Sequence, residues 1–536
     1  MGYDVILLHP PAFPDARERP RFYGPIAFTT AESTEQFATP PIGMLSIADY
    51  LDRHGYHVLV DNVAERVALA EDDAFSVRDH VKGLNARVCG IGLHWMIHAY
   101  GAMELARMCR ELHPDSLIVM GGLTASIFHE EIVAEHGLVD AVIRGEAEEP
   151  FLRFMELLDA GHDLSRISTE LPNITLRVNG RIIVGPESAP RESIDAYEFT
   201  RLDLLEPRAL FTSRARQHWQ LPVSRGCAYN CATCGGSSYS YRRYLGRARP
   251  AFRSPWRIAE DLSRLREHGV RVVFLFQDPR MGGRRYWEEL IGVLKKEGGA
   301  MDHVTLELFA PADEEYVREV SRIGTSVSLT ISPESGSEAV RRAHGRVYSN
   351  ADLLRTVEHC RNHGVPLLVF FMLALGREDR VTIRDTWSLW ERIMAASVGT
   401  HGGPTAAFGF GPMIILDPGS PAFDRPQKYG YRILRRTLKE HVQALSLPSW
   451  HQWFNYETVN LDRRSIVELI LESLERAIAL REKYGIYDRL TALRERLRVR
   501  ISGIATREVD RIMLLDERTR ASELAALHER LSRYEL

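Results

Sequence analysis

The sequence predicts an α/β protein with three domains. These are an N-terminal doubly wound, Rossmann-like domain, a central full or partial (β/α) barrel, and a C-terminal, mostly helical domain. Strand and helix signals alternate over residues 3–165 and again over 221–398, which is typical of parallel sheets covered by helices. After about residue 400 the composition changes to charged helices with apolar stripes. A chain of 536 residues is also too long for one ordinary core.

The N-terminal domain, residues 1–165, is predicted from a regular succession of elements. Strands are expected at residues 3–9, 56–61, 88–93, 116–120 and 141–144, with helices at 43–54 and 102–112. A parallel sheet of this kind binds ligands at the carboxyl ends of its strands. Function is therefore expected in the loops that follow the strands, at residues 9–11, 92–98, 121–124 and 144–146.

The middle of the chain is predicted to contain a linker and then a barrel. In the linker, residues 166–215, Asn179-Gly180 suits a tight turn between strands at 174–178 and 181–184. In the barrel, residues 216–400, strands are expected at 221–223, 272–276, 305–309, 326–331 and 367–373. Repeated strand-helix units can curl into a full or partial barrel that binds ligands at its carboxyl-terminal mouth.

The third predicted domain, residues 401–536, contains expected helices at 464–483 and 488–497. Its aromatic cluster at residues 450–456 would either cap a pocket and select the substrate or simply pack the core.

Charge and composition limit the partners and the compartment. The chain has 68 Lys and Arg against 72 Asp and Glu, so neither nucleic acid nor an anionic membrane is expected as its main partner. No stretch approaches the ~18 apolar residues of a membrane span, and the N-terminus lacks signal-peptide features. A cytoplasmic location is therefore expected. Of six cysteines, Cys89, Cys109 and Cys360 lie in apolar or helical patterns and are expected in the core.

The most specific motif contains the other three cysteines and directly follows a predicted strand. It reads Ser224-Arg225-Gly226-Cys227-Ala228-Tyr229-Asn230-Cys231-Ala232-Thr233-Cys234-Gly235-Gly236. Spacings of three and two residues let Cys227, Cys231 and Cys234 converge on three irons of a [4Fe–4S] cluster. The fourth iron then has no protein ligand, and the amino and carboxylate groups of S-adenosylmethionine can chelate it. Structural zinc, with His218 as a fourth ligand, is the alternative, although no second two-cysteine knuckle exists.

This cysteine pattern resembles the signature of the radical S-adenosylmethionine superfamily. Gly235-Gly236 is similar to the family's small-residue stretch after the third cysteine, where backbone groups pair with the cofactor's amino group. The resemblance also implies that Gln277 and Met372, at strand ends, face cofactor or substrate, with core packing as the alternative. The sequence departs from the family pattern at two places, which weakens the assignment of individual contacts there. The family usually has an aromatic residue just before the third cysteine, where this chain has Thr233, and residues 375–379 replace the family's usual glycine-leucine-proline-glycine-glutamate.

A later segment, Ser332-Pro333-Glu334, resembles the end of the family's fourth barrel strand. There a polar residue contacts the ribose or methionine part of S-adenosylmethionine, and the resemblance implies this binding role for Ser332 and above all Glu334. A helix cap beginning at Ser335 or Ser337 is an alternative compatible with it.

The N-terminal domain resembles the cobalamin-binding domains that precede many radical S-adenosylmethionine modules. The similar segments are residues 39–43, 119–124 and 139–149. The resemblance implies cobalamin contacts at Pro10, Pro41, Gly121, Gly122, Leu123, Thr124, Gly145 and Glu146. Small residues would let the corrin lie against these loops, although glycines at strand ends also serve plain turns.

Cobalamin domains that bind the metal through histidine carry an Asp-any-His-any-any-Gly motif, which this sequence lacks. The resemblance places the loop His94-Trp95-Met96-Ile97-His98 at the lower face of the cobalt. Trp95 would shield that face, while His94 or His98 would ligate it; a packed aromatic ring and surface histidines are the alternative.

The domain pairing implies a methyltransferase that acts on an unactivated carbon, or on phosphorus, of a small molecule. One S-adenosylmethionine would methylate reduced cobalamin. Another would be cleaved at the cluster to a 5'-deoxyadenosyl radical, which takes hydrogen from the substrate before the substrate radical collects methyl from methylcobalamin. An electron donor of flavodoxin or ferredoxin type is implied. Cyclisation, ring contraction or oxidation with the same cofactors, and a cobalamin or metal sensor without turnover, are the alternatives.

Overall fold

An eight-stranded sheet organises the N-terminal part of the chain. The computed structural model describes residues 2–16, 18–25, 36–70, 75–135, 137–207, 218–297, 301–399 and 403–533. The strand order is β7-β6-β5-β4-β3-β1-β2-β8. The strands are β1 Tyr3–His9, β2 Val58–Asn62, β3 Ala86–Gly92, β4 Leu117–Gly121, β5 Ala141–Ile143, β6 Ile174–Val178, β7 Arg181–Val184 and β8 Leu205–Glu206. Strands β1 to β5 and β8 are parallel, as predicted for a Rossmann-like domain.

The helices of this part pack on the sheet and complete its core. They are α1 Ile42–Asp52, α2 Val63–Leu69, α3 Val77–Lys82, α4 Ala99–Leu112, α5 Leu123–Ile127, α6 His129–Ala134, α7 Glu148–Asp159 and α8 Leu164–Glu170. The central strand β1 has Val5, Ile6 and Leu8 fully buried, which explains its continuous apolar run.

The predicted linker, residues 166–215, differs from the structure. Its hairpin forms at the predicted residues, but β6 pairs antiparallel with β5, so the hairpin extends the first sheet. Strand β8 pairs with β2 at the opposite edge. The physical reason is the apolar face of the hairpin, because Ile174 and Leu176 are fully buried against the domain core. Residues 208–215 lie outside the described part of the chain.

A second, six-stranded sheet forms a partial barrel in the order β16-β15-β14-β13-β12-β9. Its strands are β9 His218–Pro222, β12 Val272–Phe276, β13 His303–Leu308, β14 Ser326–Glu334, β15 Leu367–Leu373 and β16 Ala406–Pro412, and all are parallel. A small pair, β10 Ser224–Arg225 and β11 Ala251–Phe252, follows β9. The predicted boundary at residue 400 cuts this sheet, since β16 pairs with the whole of β15.

Helices cover the outer face of the partial barrel, and this confirms the predicted α/β class. They are α9 Ser238–Tyr244, α10 Pro255–Glu267, α11 Arg284–Glu297, α12 Glu314–Ser321, α13 Glu338–Ala343, α14 Asn350–His363 and α15 Thr382–Ser397.

The rest of the chain is mostly helical, as predicted. Its helices are α16 Pro421–Asp424, α17 Pro426–Tyr429, α18 Leu438–Leu445, α19 Arg463–Lys483, α20 Arg489–Ile512 and α21 Glu517–Ser532, with one hairpin of β17 Tyr431–Ile433 and β18 Tyr456–Thr458. The aromatic cluster at 450–456 packs the core: Trp450, Trp453 and Tyr456 are almost fully buried, and Trp453 stacks on Phe13 at a centroid distance of 4.6 Å.

Cys89, Cys109 and Cys360 are buried, as the sequence predicted. Within the described ranges, no helix combines the length and hydropathy needed to span a membrane.

Candidate functional site

A cavity of about 610 Å³ lies between the carboxyl ends of the two sheets. The first sheet lines it with the ends of β1, β3, β4 and β5, and the second sheet lines it with the ends of β9, β12 and β13. Parallel strands present their carboxyl ends at one edge, where both Rossmann-like sheets and (β/α) barrels bind ligands. Here the two edges face the same space.

The loop that follows β10 brings Cys227, Cys231 and Cys234 to the cavity wall. The Tyr229 backbone N–H donates to Cys227 Sγ at 3.3 Å, and the Gly236 N–H donates to Cys234 Sγ at 3.3 Å. Backbone N–H groups aimed at sulfur stabilise thiolates and tune the potential of a bound iron–sulfur cluster. The loop is thus arranged to present three sulfur ligands from one side.

The thiols themselves need a positive partner to ionise. Burial raises the pKa of Cys227 and Cys234 and brings that of Cys231 to about 11, although the Arg346 charge opposes the rise at Cys227 and Cys231; bound metal would add the positive charge that favours thiolates. Among the described side chains, no three or more His, Cys, Asp or Glu converge on the position of a single metal ion. The spacing of the three cysteines on one loop is the one expected for the protein ligands of a cubane cluster. The side chain of His218, named in the zinc alternative, lies outside the described residues.

The residues predicted to bind S-adenosylmethionine fall into two groups. Gly236 and Gln277 line the cavity beside the cysteines. The others lie outside the lining, and their binding roles stay predictions; they are Gly235, Ser332, Glu334 and Met372. Gly235 uses its backbone N–H to donate to Asp417 Oδ2 at 2.9 Å.

Glu334 reaches the cavity through Arg346. Arg346 Nε donates to Glu334 Oε1 at 2.9 Å and Nη1 donates to the Phe309 carbonyl at 3.1 Å, while the Arg346 side chain lines the cavity. In the described part of the chain, Glu334 Oε2 is buried without a hydrogen-bond partner. Ser337 occupies the cap position of α13 but makes no side-chain cap hydrogen bond. A guanidinium held in this way can pair with a carboxylate ligand.

Glu307 is a cavity residue that the sequence reasoning missed. It lies near the end of β13, lines the cavity and accepts the Gln277 backbone N–H at 2.6 Å. Burial raises its pKa to about 7, although Gln277 and Arg346 oppose the rise. Gln277 has a φ of 76°, and its Oε1 lacks a partner among the described residues. The alternation of β13 could have identified Glu307 from the sequence. One face of the strand is buried and consists of Val304, Leu306 and Leu308, and Glu307 is a carboxylate on the other, half-exposed face.

Most of the predicted cobalamin contacts meet at the opposite wall. The cavity is lined by Pro41, His94, Trp95, Gly121, Gly122, Leu123, Gly145 and Glu146. Pro10, Met96 and Thr124 are not part of the lining. Met96 is in the core at 2% exposure, and Thr124 donates its backbone N–H and hydroxyl to the His94 carbonyl at 3.2 and 2.9 Å. Thr124 therefore holds the loop that carries His94.

Of the two histidines considered for cobalt, the structure turns one toward the cavity. His94 and the 41% exposed Trp95 open into it, whereas His98 is buried against His9 at a centroid distance of 5.1 Å. The surrounding protein and the Arg225 charge lower the pKa of His94 to about 4, so its ring is neutral at pH 7. Any histidine contact with cobalt from this loop therefore has to come from His94.

The wall that carries the predicted cobalamin contacts has open space beside its glycines and an apolar surface, as a large, flat ring would need. Gly43 lines the cavity, and a Cβ added there would meet no protein atom within 4 Å, so the space beside this residue is open. A Cβ on Gly121 would come no closer than 3.5 Å to the Ile143 carbonyl. Leu123 and Phe151 add apolar surface to the same wall.

Comparisons with known proteins agree with this arrangement. Residues 33–154 match the model of the B12 binding domain, and residues 221–387 match that of the radical SAM superfamily. An uncharacterized methyltransferase of Pyrococcus horikoshii is 22% identical over 65% of this chain and 72% of its own length. The anaerobic magnesium-protoporphyrin IX monomethyl ester cyclase of Rubrivivax gelatinosus is 20% identical over 66% of this chain, and the match spans 63% of that enzyme.

Solved structures of a radical S-adenosylmethionine methyltransferase, TsrM from Kitasatospora setae, share the fold. One, with cobalamin and a [4Fe–4S] cluster bound, has a TM-score of 0.55 at 14% identity and covers 78% of this chain and 77% of TsrM. Another, with tryptophan substrate and an S-adenosylmethionine analogue bound, has a TM-score of 0.59 at 13% identity and covers 89% of each chain. With both domain models matched in order, the chain belongs to the cobalamin-dependent radical S-adenosylmethionine enzymes, whose cofactors are a [4Fe–4S] cluster, S-adenosylmethionine and cobalamin.

Proposed function

We propose that this enzyme transfers a methyl group to an unactivated carbon, or to phosphorus, of a small molecule. The observation that carries the proposal is the shared cavity, because the cluster cysteines and the B12-domain loops line one space. When bound there, the cluster supplies the electron that cleaves S-adenosylmethionine to a 5'-deoxyadenosyl radical, and cobalamin supplies the methyl group. The tryptophan bound to TsrM supports a substrate of similar size.

The chain's own residues hold and shield the reactants. Arg346, fixed by Glu334, would pair with the carboxylate of S-adenosylmethionine. Gln277 Oε1 and the Glu307 carboxyl present oxygen acceptors to hydroxyl or ammonium groups of cofactor or substrate. Apolar walls exclude water, which protects a radical from side reactions. These roles support radical chemistry confined to one pocket.

The test is anaerobic turnover with S-adenosylmethionine labelled in its methyl group, followed by mass spectrometry of candidate small molecules and of cell extract. Methyl transfer predicts a labelled product together with 5'-deoxyadenosine. Formation of 5'-deoxyadenosine without a labelled product would instead favour a cyclising, ring-contracting or oxidising enzyme. The absence of cleavage under reducing conditions would leave the sensor alternative.

Cyclisation or oxidation is the second candidate, and a specific observation favours it. The magnesium-protoporphyrin ester cyclase matches 66% of this chain, which is as much as the methyltransferase relative matches. An enzyme of this kind would use the same cysteines and the same cavity. The labelled-methyl experiment separates the two reactions because methylation alone moves the label.

An electron donor is needed for cleavage, and the outer surface of the cysteine loop supports an acidic one. Asn230 of the loop is exposed, and its side chain accepts the Tyr239 N–H of α9 at 2.7 Å. Arg242 and Arg243 on the same helix are exposed, and Arg425 lies over the Tyr239 ring at 5.7 Å. A basic surface beside the cluster would attract a flavodoxin- or ferredoxin-type protein. We place both proteins in the cytoplasm, because free thiols and a low-potential donor require a reducing compartment.

A further inference from the structure

A buried ion-pair network joins the B12-binding domain to the cysteine loop. Arg225, at the end of β10, comes two residues before Cys227. Its Nη1 donates to Glu146 Oε2 at 3.1 Å and its Nη2 donates to Glu148 Oε1 at 2.7 Å. Both glutamates belong to the segment that follows β5 of the first sheet. A single guanidinium therefore bridges the two halves of the enzyme.

Other contacts fix both ends of this bridge. Glu148 is 2% exposed and also accepts the hydroxyl of Ser46, on α1, at 2.6 Å. Glu146 also accepts Arg247 Nε of the barrel at 2.5 Å. The Arg225 guanidinium lies over the ring of Tyr197 at 5.2 Å, with its side chain only 17% exposed. The two carboxylates and the guanidinium are thus hydrogen-bonded from several directions and have little freedom to shift.

The network borders the cavity. All three residues of the network contribute to the lining: Arg225, Glu146 and Glu148. The lining also includes the cysteine loop, on the barrel side, and Gly145, on the side of the first sheet. Arg225 Nη1 also donates to Glu148 Oε2 at 3.2 Å, so the guanidinium holds both oxygens of Glu148, and such a bidentate pair fixes direction as well as attraction. A lysine at this position would keep the charge but not the plane.

We propose that Arg225, Glu146 and Glu148 form a positioning network that fixes the cobalamin side of the cavity relative to the cluster loop. The network sets the separation and orientation of cobalt and cluster. These in turn set how much product forms for each 5'-deoxyadenosyl radical. The consequence for product rests on the proposed function. The positioning role of the network requires only that both cofactors bind, so the positioning role and the proposed methyl transfer can be refuted separately.

The test compares reconstituted wild type with Arg225→Lys and Glu148→Gln, each loaded with both cofactors. The first readout needs no turnover: the relaxation of the cobalt(II) electron paramagnetic resonance signal, measured with the cluster oxidised and reduced, reports their separation. The second is the ratio of product to 5'-deoxyadenosine. Arg253→Lys is the control, because Arg253 is a fully buried arginine of the barrel that pairs with Asp261 and lies outside the cavity lining.

Wild type and Arg253→Lys should show one sharp cobalt–cluster interaction. Arg225→Lys and Glu148→Gln should show a broadened distribution, with the product ratio lowered about tenfold, since small misplacements of reacting groups have large effects on rate. Wild-type relaxation and ratio in both variants would overturn the proposal. If both variants fail to hold the cofactors, the same two measurements are made on Ser46→Ala, which removes one hydrogen bond from Glu148. Wild-type relaxation and a wild-type product ratio in Ser46→Ala would then overturn the proposal. Altered relaxation without any methylated product in wild type would retain the network and reject the proposed reaction.

Discussion

Arg346 ties the end of β14 to the cavity, because its Nε–H donates to Glu334 Oε1 at 2.9 Å while its guanidinium faces the space beside the cysteines. Glu334 is 3% exposed and has a φ of 68°, which places its side chain at a sharp turn after the strand. Any effect of Glu334 on a ligand in the cavity is therefore expected to pass through Arg346, which the sequence did not identify as a site residue.

Replacing Glu334 should weaken binding of S-adenosylmethionine without removing the cluster. A hydrogen bond to a charged group contributes about 1.5–3 kcal/mol, so Glu334→Ala should raise the dissociation constant roughly 10- to 150-fold. Equilibrium binding to the reconstituted protein, with iron content as the control, measures this change. Ser337→Ala should leave the affinity as in wild type; equal affinity in wild type and Glu334→Ala would reduce Glu334 to a structural residue.

Removing Cys231 should release the cluster. Wild type reconstituted without oxygen should hold about four irons and four sulfides per chain, with absorbance that dithionite bleaches. Cys231→Ala should lose most of both, whereas Cys360→Ala, which changes a buried core cysteine, should keep them. A full cluster and full cleavage activity in Cys231→Ala would refute the assignment.

The lower face of cobalt should carry no histidine ligand. The usual histidine motif is absent, and Trp95, 41% exposed toward the cavity, is an apolar body that can hold water off that face. Electron paramagnetic resonance of the cobalt(II) form should show no nitrogen superhyperfine splitting. Splitting that disappears in His94→Ala but persists in His98→Ala would contradict the unligated state and keep the loop assignment.

Stability should depend on pH through Glu378, a fully buried carboxyl that accepts the Ala374 N–H at 2.8 Å. Burial raises its pKa to about 8, so its contribution to stability is complete below its ordinary pKa and is lost as pH rises toward 8. A pKa difference of one corresponds to about 1.4 kcal/mol. The unfolding temperature of Glu378→Gln should therefore rise relative to that of wild type between pH 5 and pH 8. A constant difference between the two unfolding temperatures over this range would show that the pKa of the carboxyl is not raised.

Reduction by an acidic protein should depend on the basic surface of α9. The double variant Arg242→Glu, Arg243→Glu should accept electrons from flavodoxin about tenfold more slowly at low salt, since charge reversal removes electrostatic steering. Stopped-flow bleaching of the cluster measures the rate. Dithionite should reduce both proteins equally, and Arg285→Glu, whose arginine is 92% exposed on α11, should behave as wild type. A rate unaffected by the double reversal would place the donor elsewhere.

Local patterns were sufficient for the strands and for the cysteine loop. Alternation in β13 and the apolar run in β1 identify their elements directly, and the spacing of three cysteines depends on neighbours in sequence. Contacts between distant segments were not visible in the same way. Arg225 and Glu148 are 77 residues apart, and Asp417 lies 182 residues from Gly235. Such pairs exist only once the two sheets face each other.

Two strand pairings cross the predicted domain boundaries, at β5–β6 and at β15–β16, and they have a related cause. The local sequence pattern of a free hairpin is the same as that of a hairpin that extends the edge of a sheet. Strands β6 and β7 were therefore predicted as part of a linker, although β6 pairs with β5. Strand β16 follows a glycine- and proline-containing segment that imitates a domain boundary. Met96 was expected beside cobalamin, but the turn at Met96–His98 directs it into the core.

The most direct test of methyl transfer in the shared cavity is a count of products after anaerobic turnover with a methyl-labelled S-adenosylmethionine. The proposed reaction would consume two molecules of this cofactor per cycle, one as methyl donor and one as radical source. Equal amounts of labelled product, S-adenosylhomocysteine and 5'-deoxyadenosine are therefore expected. Formation of 5'-deoxyadenosine with neither labelled product nor S-adenosylhomocysteine would contradict it.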